Sequence, residues 1–230
     1  MTSREFRDRL SRRARQADIA LSVPLLDQLE AYYRLLARWN RKINLTAFHL
    51  DELNDQAVDR LFIEPLAAAR FVSDSPQVWF DLGSGGGSPA VPLKIARPAA
   101  HLTMIESKTR KAAFLREAVR TLGLAETCVE NARFEEMSAR ASLRGAADLL
   151  TVRAVKADER LFSVARTLLR KGGRLVLFLA NGSSIVVPRG FQLVESAPIS
   201  GLGKAPPQVV MLRRAEDVPR GTEAKAAQTH

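Results

Sequence analysis

Residues 78–82 form a strand-length apolar run that leads directly into a glycine-rich loop, Gly83-Ser84-Gly85-Gly86-Gly87-Ser88, with a helix opening at Pro89. This junction constrains the chain more than any other feature, because open sheets of parallel strands bind ligands in the crevice at the carboxyl ends of their strands. Downstream, the short apolar runs 102–105, 127–129, 149–152 and 175–179 alternate with helix-period segments at 89–97, 108–122 and 157–170. Such alternation predicts an α/β fold with a mostly parallel sheet covered on both faces. Two later runs, 191–194 and 209–212, have no helix between them and are joined by a loop containing Gly201, Gly203, Pro206 and Pro207. They read as a terminal antiparallel hairpin.

Upstream of Pro76 the pattern is helical. Leu25, Leu29, Tyr32, Leu36 and Trp39 recur at spacings of three and four over 24–43, which places them on one stripe of an amphipathic helix. A further helix is expected from Asp51, as N-cap, through Val58, Leu61, Phe62 and Leu66 to Phe71. The organisation read from these patterns is a helical extension over 1–75, a ligand-binding domain over 76–214, and a solvated tail over 215–230 that lacks Leu, Ile and aromatic residues.

Two features of the loop discriminate between cofactors. A dinucleotide fingerprint needs Gly-x-Gly-x-x-Gly, but its last position is Ser88; Asp-x-Gly-x-Gly-x-Gly is satisfied in full by Asp81, Gly83, Gly85 and Gly87. That second pattern belongs to S-adenosylmethionine, whose ammonium and sulfonium favour a nearby carboxylate that a pyrophosphate would repel. The second strand ends in Glu106, about 20 residues further on, where an acid can accept hydrogen bonds from ribose hydroxyls. Asp81 and Glu106 are therefore expected to bracket the cofactor.

The acceptor is read by elimination. Methylation at pyrimidine C5 needs a cysteine nucleophile, and the single cysteine, Cys128, lies between Thr127 and Val129 in an apolar strand, where it is expected to be core. One cysteine also excludes an intramolecular disulfide and a cysteine-rich zinc site, and no metal is expected. Methylation of an exocyclic amine favours an Asn/Asp-Pro-Pro-aromatic loop after strand four, where this chain has Thr151-Val152-Arg153-Ala154. His49, His101 and His230 are remote from every motif. A nitrogen with a free lone pair, such as guanine N7, remains, and Arg153 at the end of strand four is assigned a positioning role or a bond to the cofactor carboxylate.

A nucleic-acid substrate agrees with charge. Lys and Arg number 35 against 25 acids, a formal +10, and such a field attracts polyanions. Basic clusters recur at Arg12 and Arg13, at Arg41 and Lys42, and at Lys108, Arg110 and Lys111, which makes these residues the candidates for binding RNA phosphates. Hydrophobic residues make up 46% of the chain, enough for a real core, yet no run approaches the roughly 20 apolar residues of a membrane span. The Arg-rich start lacks the apolar segment of a signal peptide. A monomeric cytoplasmic protein is expected.

These residues together resemble the bacterial 16S rRNA (guanine-N7) methyltransferase family known as RsmG or GidB. The resemblance is carried by Trp39-Asn40-x-x-x-Asn44-Leu45-Thr46-Ala47, by the glycine loop with Pro92-Leu93-x-Ile95-Ala96-Arg97-Pro98, and by Glu106-Ser107-x-x-Arg110-Lys111-x-Ala113-Phe114-Leu115. Arg133-x-Glu135-Glu136, Arg153-Ala154-Val155 and Leu168-Leu169-x-Lys171-Gly172-Gly173-Arg174 extend it, in order, over about 25–214. It implies a Rossmann-like class I fold with a seven-stranded sheet and an N-terminal helical extension, methylating one guanine of small-subunit rRNA. It further implies cofactor contacts at Gly83, Ser88, Phe134, Glu135 and Arg153. The chain departs from the family pattern at Ser88-Pro89-Ala90, at Arg60-Leu61-x-x-Glu64-Pro65 and at Asn181-Gly182. Two alternatives stay open at this point: a catalytically silent RNA-binding or ribosome-assembly factor, and a small-molecule methyltransferase, which the +10 charge disfavours.

Overall fold

A computed structural model describes residues 1–154, 157–179, 185–199 and 207–216. Asn181, Gly182, Gly201, Gly203, Pro206 and the tail from 217 onward lie outside the described residues, as does Val155.

The sheet has seven strands in the order β3-β2-β1-β4-β5-β7-β6. The first five are β1 (Val78–Leu82), β2 (His101–Ile105), β3 (Thr127–Glu130), β4 (Ala147–Arg153) and β5 (Leu169–Leu179), and all their pairings are parallel. β6 (Phe191–Pro198) and β7 (Gln208–Arg214) form the expected antiparallel pair, with β7 inserted beside β5. The helices α5 (Ala90–Ala96), α6 (Thr109–Leu122), α7 (Phe134–Ala139) and α8 (Glu159–Leu168) fall between the parallel strands. Strand order reverses between β1 and β4, so the glycine loop after β1 and Arg153 at the end of β4 meet at the crevice where such sheets take ligands.

Alternation along the strands distributes the core between two faces. Trp79 and Leu149 join one cluster, and Phe80 and Leu150 the other, the period-two pattern of a strand buried on both sides. The first cluster is continuous with the N-terminal helices. Phe6 and Leu10 of α1 (Ser3–Gln16) and Leu29, Tyr32 and Leu36 of α2 (Val23–Asn40) are buried in it with Trp79, Phe114 and Leu102. The second is closed by α8 through Leu161, Phe162 and Leu168.

The segment from Leu50 to Phe71 is not the single helix expected from its periodicity. A 3-10 turn at Leu50–Glu52 leads to α3 (Asp55–Val58), capped by Asn54 rather than Asp51, then a π-helical turn at Asp59–Ile63, α4 (Glu64–Ala68) and a second 3-10 turn. The Asn54 side chain accepts from the Ala57 N–H at 2.8 Å. Pro65 has no N–H, so the carbonyls that it would pair in either helical pattern, those of Leu61 and Arg60, must find other donors. Ser88 Oγ donates to the Leu61 carbonyl at 2.9 Å and Arg153 Nη1 to that of Arg60. A defect in the helical extension is thereby completed by the glycine loop and the end of β4.

Cys128 corrects a second expectation. It is exposed, because β3 is the edge strand and its residues are not covered on both faces; its Sγ lies 3.2 Å from Thr103 Oγ1. Among the described residues no helix is long and apolar enough to cross a membrane.

Candidate active site

The glycine loop is held from three sides. Gly83, Gly85 and Gly87 adopt φ of 75°, 53° and 88°, a region that side-chain-bearing residues rarely enter. From β2, the Ile105 carbonyl accepts from the N–H groups of Gly83 and Ser84, and Glu106 Oε2 accepts from Gly85 N–H at 2.8 Å. Glu106 Oε1 accepts from Lys108 N–H at 2.7 Å, so this buried carboxylate props the loop and the start of α6 together. From the helical extension, Tyr32 Oη donates to the Gly86 carbonyl at 2.6 Å. Asn40 Oδ1 accepts from Leu45 and Thr46 N–H groups, shaping a loop whose Leu45 carbonyl would sit 3.0 Å from a Cβ on Gly86.

A cavity of about 360 Å³ opens above this loop, bordered by Gly83, Gly85, Ser88, Glu106, Lys111 and Arg153. Across Gly83 and Glu106 a second cavity of about 270 Å³ is bordered by Ala132, Phe134 and Glu135. The expected cofactor residues Gly83, Gly85, Ser88, Glu106 and Arg153 thus surround one bipartite cleft, with Phe134 and Glu135 on its far lobe. Glu135 Oε1 is 2.9 Å from Arg160 Nε. Gly87 is placed differently: a Cβ there would meet Val91 Cγ2 at 2.9 Å and Leu115 Cδ2 at 3.3 Å, so its missing side chain serves packing rather than approach of a ligand.

Asp81 also lies beneath the cleft rather than on its wall. It is 1% exposed, and its Oδ1 accepts from Thr151 Oγ1 at 2.5 Å, which in turn accepts from Trp79 Nε1 at 2.9 Å. Burial pushes the carboxyl up to about 6, against the hydroxyls of Ser84 and Thr151 and the charge of Arg153, which pull it down. Arg153 is enclosed as well. Its Nη1 reaches the Arg60 carbonyl and Ser88 Oγ, its Nη2 lies 2.9 Å from Glu64 Oε2, and its guanidinium sits 4.5 Å from the Phe178 ring centre. Burial lowers it to about 10 with Glu64 opposing, so it remains a cation at neutral pH. The helical stripe of α2 predicts Tyr32 as core, and no motif in the sequence marks Glu64 as a site residue. Nothing in a helical stripe signals that one hydroxyl reaches across to a loop 54 residues away.

Asp81 Oδ2 and Arg153 Nε are buried and have no hydrogen-bond partner among the described residues. Buried polar atoms are rarely left so. In the loop that follows β1, Gly85 is open: a Cβ there would meet only the Gly83 carbonyl at 3.8 Å. An unsatisfied acid, an unsatisfied cation and a bare backbone suit a small zwitterion with additional positive charge, as S-adenosylmethionine is.

The model of the family described as rRNA small subunit methyltransferase G matches residues 25–184. The chain belongs to that family. The methyltransferase G relative from Stenotrophomonas maltophilia is 38% identical over 191 residues, covering 82% of this chain and 84% of the relative. That from Roseiflexus castenholzii is 37% identical over 179 residues, covering 77% and 74%. A solved SAM-dependent methyltransferase from Aquifex aeolicus has a similar fold, with a TM-score of 0.53 at 11% identity over 68% of this chain and 92% of that one. Methyltransferase G membership makes the chain an S-adenosylmethionine-dependent methyltransferase of class I fold.

The basic candidates divide into two groups. Arg41, Lys42, Lys108, Arg110 and Lys111 border one pocket of about 380 Å³ between the end of α2 and the start of α6. Arg41 is engaged by Asp51 at 2.5 Å, and none of the other four has an ion-pair partner among the described residues. Arg12 and Arg13 lie on α1, and each meets an acid. Arg12 pairs with Asp55 at 2.7 Å, and Arg13 grips Asp59 through both Nε and Nη2 with its side chain only 11% exposed. Arg13 is a tether between α1 and the π-helical turn and is withdrawn from the phosphate-binding set.

Proposed function

We propose that this methyltransferase transfers the methyl group of S-adenosylmethionine to N7 of a guanine in small-subunit 16S rRNA. The observation that carries the reading is Lys111, which borders both the cofactor cavity and the basic pocket, so a strand whose phosphates occupy the second presents its bases to the first. The methyltransferase G name of the relatives supplies the class of RNA.

Gly83, Gly85, Ser88, Glu106, Phe134, Glu135 and Arg153 would hold the cofactor, which supplies an electrophilic methyl group on a sulfonium. The rest of the catalysis is positioning, and an acceptor with its own lone pair needs no base. This suits the wall of the cavity. Glu106 has both oxygens committed to backbone N–H groups, and no histidine borders it among the described residues. Glu64 balances the charge of Arg153, so a cationic donor and a cationic product are not repelled by an isolated guanidinium. The unsatisfied atoms of Asp81 and Arg153 favour a cofactor-binding enzyme over a silent assembly factor. The same reading takes the enzyme to be a cytoplasmic monomer.

The test is transfer of labelled methyl from S-adenosylmethionine to small subunits from a methylation-deficient strain, with nucleoside mass spectrometry of the product. N7-methylguanosine is expected. Any other methylated nucleoside overturns the target.

A further inference from the structure

The chain contains ten Phe, two Trp and two Tyr, and all of these side chains are buried except Trp39, Phe48 and Phe134. Trp39 packs edge-on against Phe114. Phe134 borders the far lobe of the cofactor cleft. Phe48 borders the near lobe on one side and, on the other, a pocket of about 520 Å³ that opens between α2 and the 3-10 turn at Leu50–Glu52. One half-buried aromatic ring therefore stands at the junction of the cofactor cavity and an outer pocket.

The ring packs against the first core cluster, and its segment is held by hydrogen bonds. Asn40 Oδ1 fixes Leu45 and Thr46, Thr46 Oγ1 accepts from Phe48 N–H at 3.3 Å, and Tyr33 Oη donates to the Leu50 carbonyl at 2.6 Å. The outer pocket shares Asn40 and Arg41 with the basic pocket, which shares Lys111 with the cofactor cavity. The three cavities thus form a ring around residues 40–48, with cations along one side and a single aromatic face at the inner mouth. Single-stranded RNA is held by this combination: phosphates on cations, and an unstacked base on an aromatic platform.

We infer that Phe48 is the platform on which the methyl-acceptor guanine stacks when it is drawn out of its RNA, with the adjoining phosphates on Lys42, Lys108, Arg110 and Lys111. The inference rests on the RNA-methyltransferase reading above and adds the residue that receives the base. Stacking on the ring takes the place of the neighbouring bases that an extruded guanine leaves behind, and it holds the purine edge toward the cofactor cavity.

The test compares Phe48→Ala, Phe48→Leu and Phe48→Trp in methyl transfer to small subunits, alongside calorimetric affinity for S-adenosylmethionine. Loss of one base stack lowers kcat/KM about 5- to 150-fold in Phe48→Ala. Phe48→Leu, which keeps apolar bulk without a π face, is expected to lose at least about fivefold by the same measure, and Phe48→Trp to retain most of the rate. Cofactor affinity is expected to fall by much less than the rate, since the glycine loop is anchored by Tyr32, Ile105 and Glu106 and not by Phe48. A Phe48→Leu enzyme as active as the parent overturns the stack, and so does a fall in cofactor affinity that matches the fall in rate. If the parent itself methylates no small subunit, the target reading fails instead. The stack is then read from quenching of Phe48→Trp emission by an RNA oligonucleotide with an unpaired guanine, against an abasic control; equal emission with both overturns it.

Discussion

Arg153 Nη2 lies 2.9 Å from Glu64 Oε2, and the two side chains are 8% and 3% exposed. The pair joins the end of β4 to the helical extension in the floor of the cofactor cleft. Glu64 is also held by Arg60 at 2.7 Å, and burial still pushes its carboxyl up while both guanidiniums pull it down. A buried pair of this kind is weak evidence for stability in itself, but breaking it leaves a charge stranded. Glu64→Ala is therefore expected to destabilise by about 3 to 5 kcal/mol, a fall in Tm on the order of 10 °C by the usual scaling for a chain this size. Calorimetric melting of Glu64→Ala beside the double variant Glu64→Ala/Arg153→Met checks it: the double variant is expected to recover part of the loss, because no unpaired charge is then buried at position 153, and only part, because the Arg60 carbonyl loses its donor.

Tyr32 secures the loop from the opposite side. Its hydroxyl is buried, which pushes its pKa up and keeps it a neutral donor to the Gly86 carbonyl. Tyr32→Phe removes one hydrogen bond and no packing, at a cost of about 1 kcal/mol. The larger effect falls on the cofactor, since the loop loses its anchor. Affinity for S-adenosylmethionine is expected to weaken about 3- to 10-fold, with Tm lowered by only a few degrees. Unchanged affinity in titration calorimetry contradicts the anchoring role.

Gly85 and Gly87 share a positive φ and differ in surroundings, so alanine separates their roles. At Gly87 the new methyl meets Val91 Cγ2 at 2.9 Å, with Tyr32 Oη 3.3 Å away, and the packed core has to shift. At Gly85 it meets only the Gly83 carbonyl, at an ordinary contact distance of 3.8 Å. Gly87→Ala is expected to lose about 2 to 4 kcal/mol of stability from strain and overpacking together. Gly85→Ala is expected to lose about 1 to 2 kcal/mol from backbone strain alone, and to lose cofactor affinity out of proportion to that. Melting and titration on both variants decide between these assignments.

What the sequence made legible was periodic or local. Strand and helix alternation placed the five parallel strands, two further apolar runs with no helix between them placed the hairpin, and the Asp-x-Gly-x-Gly-x-Gly spacing located the cleft, because all of these depend on neighbours within a few residues. Features that depend on partners far along the chain were not legible. The helix over 51–71 breaks because Pro65 withholds a donor and Ser88 and Arg153, from distant elements, fill the gap. Cys128 reads as core because a short run beside Val129 has the length of an internal strand, but burial in a sheet is decided by whether the strand is internal or at the edge. Arg13 looked available to phosphate because its charge is visible in the sequence, whereas Asp59, its partner 46 residues away, is not marked as such.

Asp81 makes the cleft sensitive to pH. Its carboxyl titrates at about 6 in the folded protein, against roughly 4 in an unfolded chain. Between these values the folded state holds a proton that the unfolded state has released, so stability is full below about pH 4 and falls as pH rises toward and past 6. The loss at neutral pH is about 3 kcal/mol. A cationic ligand favours the ionised form, so affinity for S-adenosylmethionine is expected to increase as pH rises from about 5 to 7.5. Asp81→Asn is expected to flatten both profiles, to melt higher than the parent at about pH 7.5, and to bind the cofactor more weakly there. Parallel pH titrations of Tm and affinity read all three outcomes.

The two groups of basic residues predict opposite consequences for charge changes. Lys42, Lys108 and Arg110 are exposed and border one pocket, so reversing them to Glu is expected to weaken RNA binding with little change in Tm. The dependence of log affinity on log salt is expected to become shallower by about 0.7 for each single-strand phosphate that is no longer neutralised. Arg13→Ala acts the other way. Burial pushes the Asp59 carboxyl up and only Arg13 and its hydrogen bonds hold it down, so the acid is left half-buried and unpaired. A stability loss of about 2 kcal/mol is expected, with the salt slope of RNA binding unchanged. A salt slope that falls in Arg13→Ala and stays in the triple reversal would move the RNA track from the α2–α6 pocket to the face of α1.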